Sequence, residues 1–425
     1  MPRLPRVTAD LTPLRASREL RLLVLGNFVS GMGTQAALVA LPYQVYVETH
    51  SALKTGLLGA AELGPLVVMA LLGGALADRA DRRRLLLVDQ IALVAVSAAL
   101  CALAVGGSPP LGVLYVLAGL LAGFGAIQNV ARSAIVPNLV QPARLPAALA
   151  VNFGLYQLTM VIGPALGGLL IAAGGVKIAY GVDAVSCFAM VFALFAMGPQ
   201  LPHGHGEGTE RPTIRRSIGE GLGFVRRRQA LLGSFAIDLM AMTFGMPRAL
   251  FPVLAVSVYH AGASGTGLLF AAVSAGATVA ALTTRWLEHV RMLGRVVIVA
   301  VAAWGVAIAL AGVTHALWIA AALLAVAGAA DSVSAVCRQI INQSVTPDAM
   351  RGRMSSVFSL VVTSGPRLGD VESGTVASLT SARFSMFSGG VACVVGTALV
   401  VAAFPALAAY DQRAAGSDPD VRQAA

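Results

Sequence analysis

The chain contains twelve apolar stretches, each long enough to cross a bilayer as a helix, which takes about 20 residues. Their approximate limits are Leu22–Val47, Thr55–Ala77, Leu85–Val105, Leu111–Ala131, Leu145–Ala173, Val176–Met197, Ala230–Val258, Gly265–Arg285, Val296–Val313, Leu317–Val336, Ser355–Leu379 and Phe384–Leu407. In hydrocarbon every backbone N–H and C=O must find a partner inside the protein, which leaves helices or closed barrels; runs of this length select helices. Composition agrees. Of 425 residues, 57% are apolar and 12% charged, where a soluble domain carries about 25% charged residues. That deficit excludes a disordered chain, a nucleic-acid-binding module and an ordinary soluble enzyme.

The basic residues orient the helices. With the N-terminus in the cytoplasm, 25 Lys and Arg fall on the cytoplasmic side, Arg338 among them. Lys54, Lys177 and Arg383 fall outside, and Arg248 and Arg367 lie within spans. Short basic loops stay inside, so the split predicts a multi-pass protein of the cell (inner) membrane with both termini cytoplasmic. The net charge of +10 follows from these loops and does not call for nucleic acid as a partner. The basic start, Arg3 to Arg21, precedes an apolar run longer than the ~7–15 residues of a signal-peptide core, so no cleaved leader is expected.

The longest polar segment, 199–229, separates spans six and seven. It divides the chain into an N-terminal cytoplasmic segment (1–20), a six-helix bundle (21–198), a cytoplasmic linker (199–229), a second bundle (230–407) and a tail expected to be disordered (408–425). Residues 217–228 of the linker read as an amphipathic helix on the membrane face. The halves echo each other. Gly163-Pro164-Ala165-Leu166-Gly167-Gly168 and Gly365-Pro366-Arg367-Leu368-Gly369-Asp370 match at four of six positions, 202 residues apart. The predicted class is therefore an all-α membrane protein of twelve transmembrane helices in two pseudo-symmetric six-helix bundles. The four cysteines are scattered through apolar runs with no Cys/His cluster, so no metal site is expected.

A charge at the bilayer centre costs about 2.5–3.5 kcal/mol on insertion scales, so ionisable residues within spans face the protein interior and have a role. Glu62, Asp238, Arg248, Asp331, Arg367, Asp370 and Glu372 are the candidates for proton coupling or ion pairing. Arg367 and Asp370, three apart on one helical face, are expected to pair. Glu62 has no opposite charge near it in sequence and is expected to be a neutral proton carrier. Asp331 and Arg338 are seven apart on one face and suggest gating or structure, as Asp238 does; Asp183 reads as structural. Asn27, Gln35, Tyr43, Gln128, Asn152, Tyr156 and Gln157 are polar candidates for a substrate cavity, each also able to serve as interhelical glue.

Two motifs carry a resemblance. The loop after span two reads Gly73-Gly74-Ala75-Leu76-Ala77-Asp78-Arg79-Ala80-Asp81-Arg82-Arg83. On physical grounds Gly74 would allow close helix packing, Asp78 would hold a helix N-terminus or an arginine, and the arginines would sit at the anionic inner leaflet. The loop resembles the signature of the major facilitator superfamily through Gly74, Asp78, Arg79, Arg82 and Arg83, with Asp81 where glycine is usual. The resemblance implies a charge latch that opens and closes as two halves rock. Gly163, Pro164, Gly167 and Gly168 resemble the signature of the exporting, antiporter branch, although Thr159 stands where its upstream glycine would be. Residues 238–252, 327–331 and 365–372 are similar to the enterobactin-exporter subgroup, whose wider group includes macrolide and multidrug pumps.

The expected function is export of an amphipathic small molecule, a siderophore or related secondary metabolite, by proton antiport and alternating access. A multidrug or macrolide pump of the same fold is the alternative; an importing symporter or a transport-inactive membrane sensor ranks below. No nucleophile–base pair, nucleotide loop or metal cluster marks an enzyme or an ATP-driven pump. The expected partners are the substrate, protons and the bilayer around a monomer, with no cofactor beyond the proton gradient.

Overall fold

The computed structural model describes residues 12–77, 80–107, 109–201, 219, 223–226, 228–346 and 350–411. Its long helices are α1 (Arg18–Thr49), α2 (Ala52–Ala77), α3 (Arg82–Gly106), α4 (Leu111–Ile135), α5 (Leu145–Gly174) and α6 (Val176–Phe195), then α7a (Gln229–Gly245) and its continuation α7b (Leu250–Val253). These are followed by α8 (Gly262–Thr283), α9 (Leu293–Val313), α10 (Leu317–Val345), α11 (Arg351–Leu379) and α12 (Ala382–Ala403). Among the described residues there is no strand. Among the described residues eleven spans are long and apolar enough to cross a membrane. The twelfth, α11, has 29 residues, and its apolarity is diluted by Arg351, Arg353, Arg367, Asp370, Glu372 and a run of serines and threonines.

The helices present large apolar side chains outward as well as inward. Leu282, Trp318 and Leu379 are more than 70% exposed. A water-soluble protein rarely shows contiguous apolar surface of this kind, whereas a helix that is apolar all round suits a lipid surround.

The chain forms two compact units. One holds Met1–Leu41 and Gly64–Glu207, the other Pro42–Leu63 and Gly208–Ala425. The chain passes between them at Leu41–Pro42 within α1 and just before Gly64–Pro65 within α2. A helix-interior proline removes one backbone hydrogen bond.

In the first unit α3 packs on α4 and α6, and α5 packs on α1 and α6. The α5–α1 contact is set by glycines. A Cβ at Gly163 would lie 2.5 Å from Cβ of Gln35, and one at Gly167 would lie 2.7 Å from Cα of Ala36. One helical turn earlier the small residue changes sides: Thr159 of α5 meets Gly31 of α1, where a Cβ would come within 2.9 Å of its methyl group. The glycine absent at position 159 is thus supplied by the partner helix.

In the second unit α7a packs on α11 and α12, and α10 lies between α8 and α9. Gly365 of α11 repeats the device, since a Cβ there would lie 2.6 Å from Cβ of Met242. A further sequence echo lies within this second unit. Thr55-Gly56-Leu57-Leu58-Gly59-Ala60 corresponds to Thr266-Gly267-Leu268-Leu269-Phe270-Ala271. The turns before them hold His50 and His260 at φ 47° and 52°, left-handed values that non-glycine residues seldom adopt.

Three expectations from sequence change. Span seven is not continuous but breaks between Gly245 and Leu250, then runs through α7b into a π-helical turn, Leu254–Val258. Arg338, counted with the cytoplasmic charges, is 2% exposed inside α10. The tail, expected to be free from residue 408, is held as far as described: Tyr410 is buried and Asp411 pairs with Arg291 at 3.2 Å. The segments 1–11, 202–218 and 412–425 lie outside the described residues, as does half of the expected amphipathic helix.

Because Gly167 abuts backbone, Gly167→Val is expected to destabilise the purified protein by about 1–3 kcal/mol. Gly64→Ala, with nothing within 4 Å of the added carbon, should leave stability unchanged or raise it. Thermal unfolding in detergent checks both.

Candidate functional site

The break in α7 begins with chemistry. Pro247 has no N–H to donate, and the turn that follows is closed only by local bonds, Arg248 N–H to the Met246 carbonyl (2.9 Å) and Leu250 N–H to the Pro247 carbonyl (3.0 Å). The N–H of Ala249 is left over. It donates to Oδ1 of Asp370 on α11 at 2.9 Å, while Nη2 of Arg248 pairs with Oδ2 of the same carboxylate at 3.2 Å. One acid therefore both satisfies the broken backbone and neutralises the arginine at the break. Gly369 makes this reach possible. A Cβ there would stand 2.6 Å from the Met242 carbonyl oxygen and 3.0 Å from that of Thr243. Only glycine lets α11 approach the end of α7a so closely.

One turn along α11, Nε of Arg367 lies 3.3 Å from Oε2 of Glu62 on α2. This stretch of α2, in the same unit, packs glycine against glycine on α11: a Cβ on Gly374 would come 2.8 Å from Cα of Gly56. Two expectations are corrected here. Arg367 and Asp370 do not form the i,i+3 pair that their spacing suggests; each takes a partner from another helix. Glu62 is not an isolated carboxyl but has a counter-ion. The cause is tertiary, because α2 and α7 bring charges across to α11 that local spacing cannot show. Glu372 is half-buried and, among the described residues, has no hydrogen-bond or ion-pair partner.

A second cluster lies on α7a and α10. Arg338 is hydrogen-bonded to Asp238, with both side chains 2% exposed, and its other nitrogen is 3.7 Å from Asp331. Oδ2 of Asp238 and Nε of Arg338 are buried without hydrogen-bond partners. Asp331 also borders an apolar recess lined by Met246, Phe251, Trp304 and Ala327, beside the α7 break.

The first unit buries polar groups mostly without charge. Gln128 donates to Gln90 (3.0 Å), Gln90 to Ser30 (2.9 Å), and Ser30 to the Cys187 sulfur (3.5 Å). Asp183 accepts from Thr34 (3.0 Å) and Ser97 (2.6 Å). Gln128, proposed for a cavity, is thus part of an interhelical ladder. Gln35 meets the Met160 sulfur at 3.4 Å, and Tyr156 stacks under Arg132. Asn27 is buried, Asn152 and Gln157 are half-buried in the same unit, and Tyr43 is half-buried in the second.

The loop after α2 works through its arginines. Arg82 donates to the carbonyls of Ala77 (3.1 Å) and Ala134 (2.7 Å), and Arg83 to those of Leu194 (2.6 Å) and Phe195 (3.3 Å). Both satisfy C-terminal helix carbonyls, the negative end of the helix dipole. Asp81 caps α3 through the Arg83 N–H (3.0 Å) and also accepts from Gln200 N–H (2.9 Å). Asp78 and Arg79 lie outside the described residues. The close packing expected of Gly74 belongs to its neighbour: nothing lies within 4 Å of a Cβ at 74, whereas one at Gly73 would meet Cα of Ile127 at 3.1 Å.

The sequence reading omitted Asp89, a buried carboxyl with no hydrogen-bond partner. Its signal was available in the sequence: it is an acid inside span three, preceded by Leu85-Leu86-Leu87-Val88 and followed by Gln90 and a further apolar run.

The profile of a family described as "Transmembrane secretion effector" matches residues 8–423. The chain belongs to this family of major facilitator transporters. It is 30% identical over 397 residues to the enterobactin exporter EntS of Salmonella typhi, covering 92% of this chain and 94% of that protein. The same exporter of Citrobacter koseri is 30% identical over 396 residues, with 92% and 93% covered. Among solved structures, the nucleoside transporter NupG superposes with TM-score 0.70 at 14% identity, covering 92% of this chain and 99% of that one. A peptide transporter POT in complex with sulfate gives 0.71 at 14% identity, with 93% and 96% covered. These structures share the fold: twelve transmembrane helices in two six-helix bundles of the major facilitator type.

Arg338→Met leaves Asp238 buried without its counter-ion. Breaking one side of a buried pair costs about 3–5 kcal/mol, so the variant should unfold at markedly lower denaturant. Arg338→Met with Asp238→Leu should recover part of that loss, as read by chemical denaturation in detergent.

Proposed function

We propose that this protein exports a siderophore or related amphipathic metabolite across the inner membrane in exchange for protons, by alternating access. Residues 21–198 and 230–407 form the two moving bundles, with residues 42–63 grouping with the second; 199–229 links them, and both termini face the cytoplasm. The observation that carries the reading is the double engagement of Asp370, which holds Arg248 and fastens the break in α7 through Ala249. A proton arriving on Asp370 removes the charge that holds Arg248 and weakens the acceptor for the Ala249 N–H. The two parts of α7 are then free to reorient. Broken helices beside a membrane-embedded ion site are a recurrent transporter arrangement.

Glu62 and Arg367 stand beside this carboxylate, so loss of one charge redistributes the pairing of the other three. The Asp238–Arg338–Asp331 cluster anchors α7a to α10 while α7b moves. Tight α5–α1 packing through Gly163 and Gly167 keeps the first unit closed to leaking protons. Arg82 and Arg83 hold helix-end carbonyls, and the loop motif to which they belong serves as the gating latch of the cycle. The substrate class is supported by relatives named as enterobactin exporters that match nearly the full length.

Two measurements test this. Everted vesicles containing the chain should accumulate a catecholate siderophore, and a protonophore should abolish the accumulation; uptake indifferent to the gradient removes proton coupling. Asp370→Asn, which keeps an acceptor for Ala249 but no charge, should reduce proton-driven accumulation by at least tenfold, the effect of ~1.4 kcal/mol. Secondly, under iron limitation, cells lacking the gene should release less siderophore into the medium. An unchanged medium combined with macrolide sensitivity would identify a drug pump instead.

A further inference from the structure

Asp89 on α3 is 2% exposed, and neither of its carboxylate oxygens has a hydrogen-bond partner. Leu86 and Leu93 lie one turn to either side on the same helical face and are 0% and 1% exposed. The carboxyl is therefore enclosed between layers of leucine and does not reach the lipid or an aqueous end. Asp183 is the contrast, an equally buried acid in the same unit whose oxygens accept from Thr34 and Ser97.

The charged and titratable groups on the elements packed against α3 are engaged elsewhere. On α4, Arg132 bonds Asn129 and lies over Tyr156. On α6, Asp183 holds its two hydroxyls, Cys187 meets Ser30, and Lys177 is exposed at the far end. On α1, Glu19 accepts from Gly198 and Gln200, while Arg18 and Arg21 are exposed. Tyr115 and Tyr180 each have a partner of their own, and Asp89 has none. At the start of α3 itself, Arg82 and Arg83 are taken up by helix-end carbonyls, and Arg84 lies beside Asp81.

An ionised carboxylate in such a place needs a cation or donors, and none is within reach. The neutral acid, close in shape to asparagine, is the form the cage accepts. A buried polar group without partners calls for a reason, and an ionisable group kept inside a membrane helix is by default functional. We propose that Asp89 is a proton-binding site of the first unit, loaded in the conformation described and emptied when α3 and its neighbours part far enough to admit water. It is separate from the Asp370 network, which belongs to the other unit. Its purpose rests on the proton-antiport reading; the bound proton does not.

Infrared difference spectra of the purified full-length chain against Asp89→Asn at neutral pH decide between the forms, because a protonated carboxyl and a carboxylate absorb in separate regions. The expected result is loss of one protonated-carboxyl band in the variant. Loss of a carboxylate band instead overturns the proposal. Where Asp89→Asn does not fold, the unmutated chain is treated with dicyclohexylcarbodiimide. The carboxyl O–H adds across one N=C bond, and migration of the acyl group from oxygen to nitrogen leaves a stable N-acylurea. Mass spectrometry should find this adduct on Asp89; an unmodified Asp89 peptide beside labelled Glu372 overturns the site. A protonated Asp89 together with export indifferent to the proton gradient would retire the antiport reading and keep the site. A carboxylate at Asp89 with proton-driven export intact would do the reverse.

Discussion

A charge enclosed in an apolar helix bundle must be met by an opposite charge or by donors, and the second unit is organised around that requirement. Asp370 can reach the loose N–H at Ala249 only because Gly369 brings α11 onto the end of α7a. Arg248 is tolerable at the break only because the same carboxylate answers it. Arg367 is in turn answered by Glu62, across a contact that needs Gly56 and Gly374 to be bare. Small residues and ion pairs thus depend on each other: the glycines set the spacing and the charges use it.

The two units solve the burial of polarity differently on a shared scaffold. Each uses its Gly-Pro-x-x-Gly segment to press one helix onto another, α5 onto α1 and α11 onto α7a. Where the first unit has Ala165 and Gly168 in that segment, the second has Arg367 and Asp370. The first unit meets most of its polar demand with a neutral ladder of glutamines and serines. The second meets it with charges. Neutral bonds between side chains change little with proton supply, whereas a pair whose acid can be neutralised changes its partner's position. In the proposed cycle the ion pairs that respond to a proton therefore belong to the second unit, and Asp89 is the unpartnered buried acid of the first.

Much of this architecture was legible in the sequence. Hydrophobic length depends on consecutive residues alone, so the spans emerged with limits close to those of the helices. The major facilitator membership was carried by short motifs whose spacing survives in the chain. The ionisable candidates in the second half also emerged, because few charges occur in apolar runs. Their pairing did not. Arg367 and Asp370 looked like partners because helical spacing is local, yet each is closer to a charge on another helix. Glycines were visible, but not which glycine bears the contact: Gly73 does and Gly74 does not, a difference of 100° around the helix axis. Asp89 stands in an apolar run beside Gln90, and only the structure shows that, unlike Gln90, it is buried with no partner.

The sequence by itself determined that this chain is a doubled set of membrane helices with scarce charges held inside, since apolar length and charge count need no knowledge of folding. Only the tertiary structure decided which charge answers which, where α7 breaks, and that the fully buried Asp89 has no partner. Those outcomes depend on distances of a few ångströms between helices far apart in the chain, and electrostatic attraction and steric contact act on that separation, not on position in sequence.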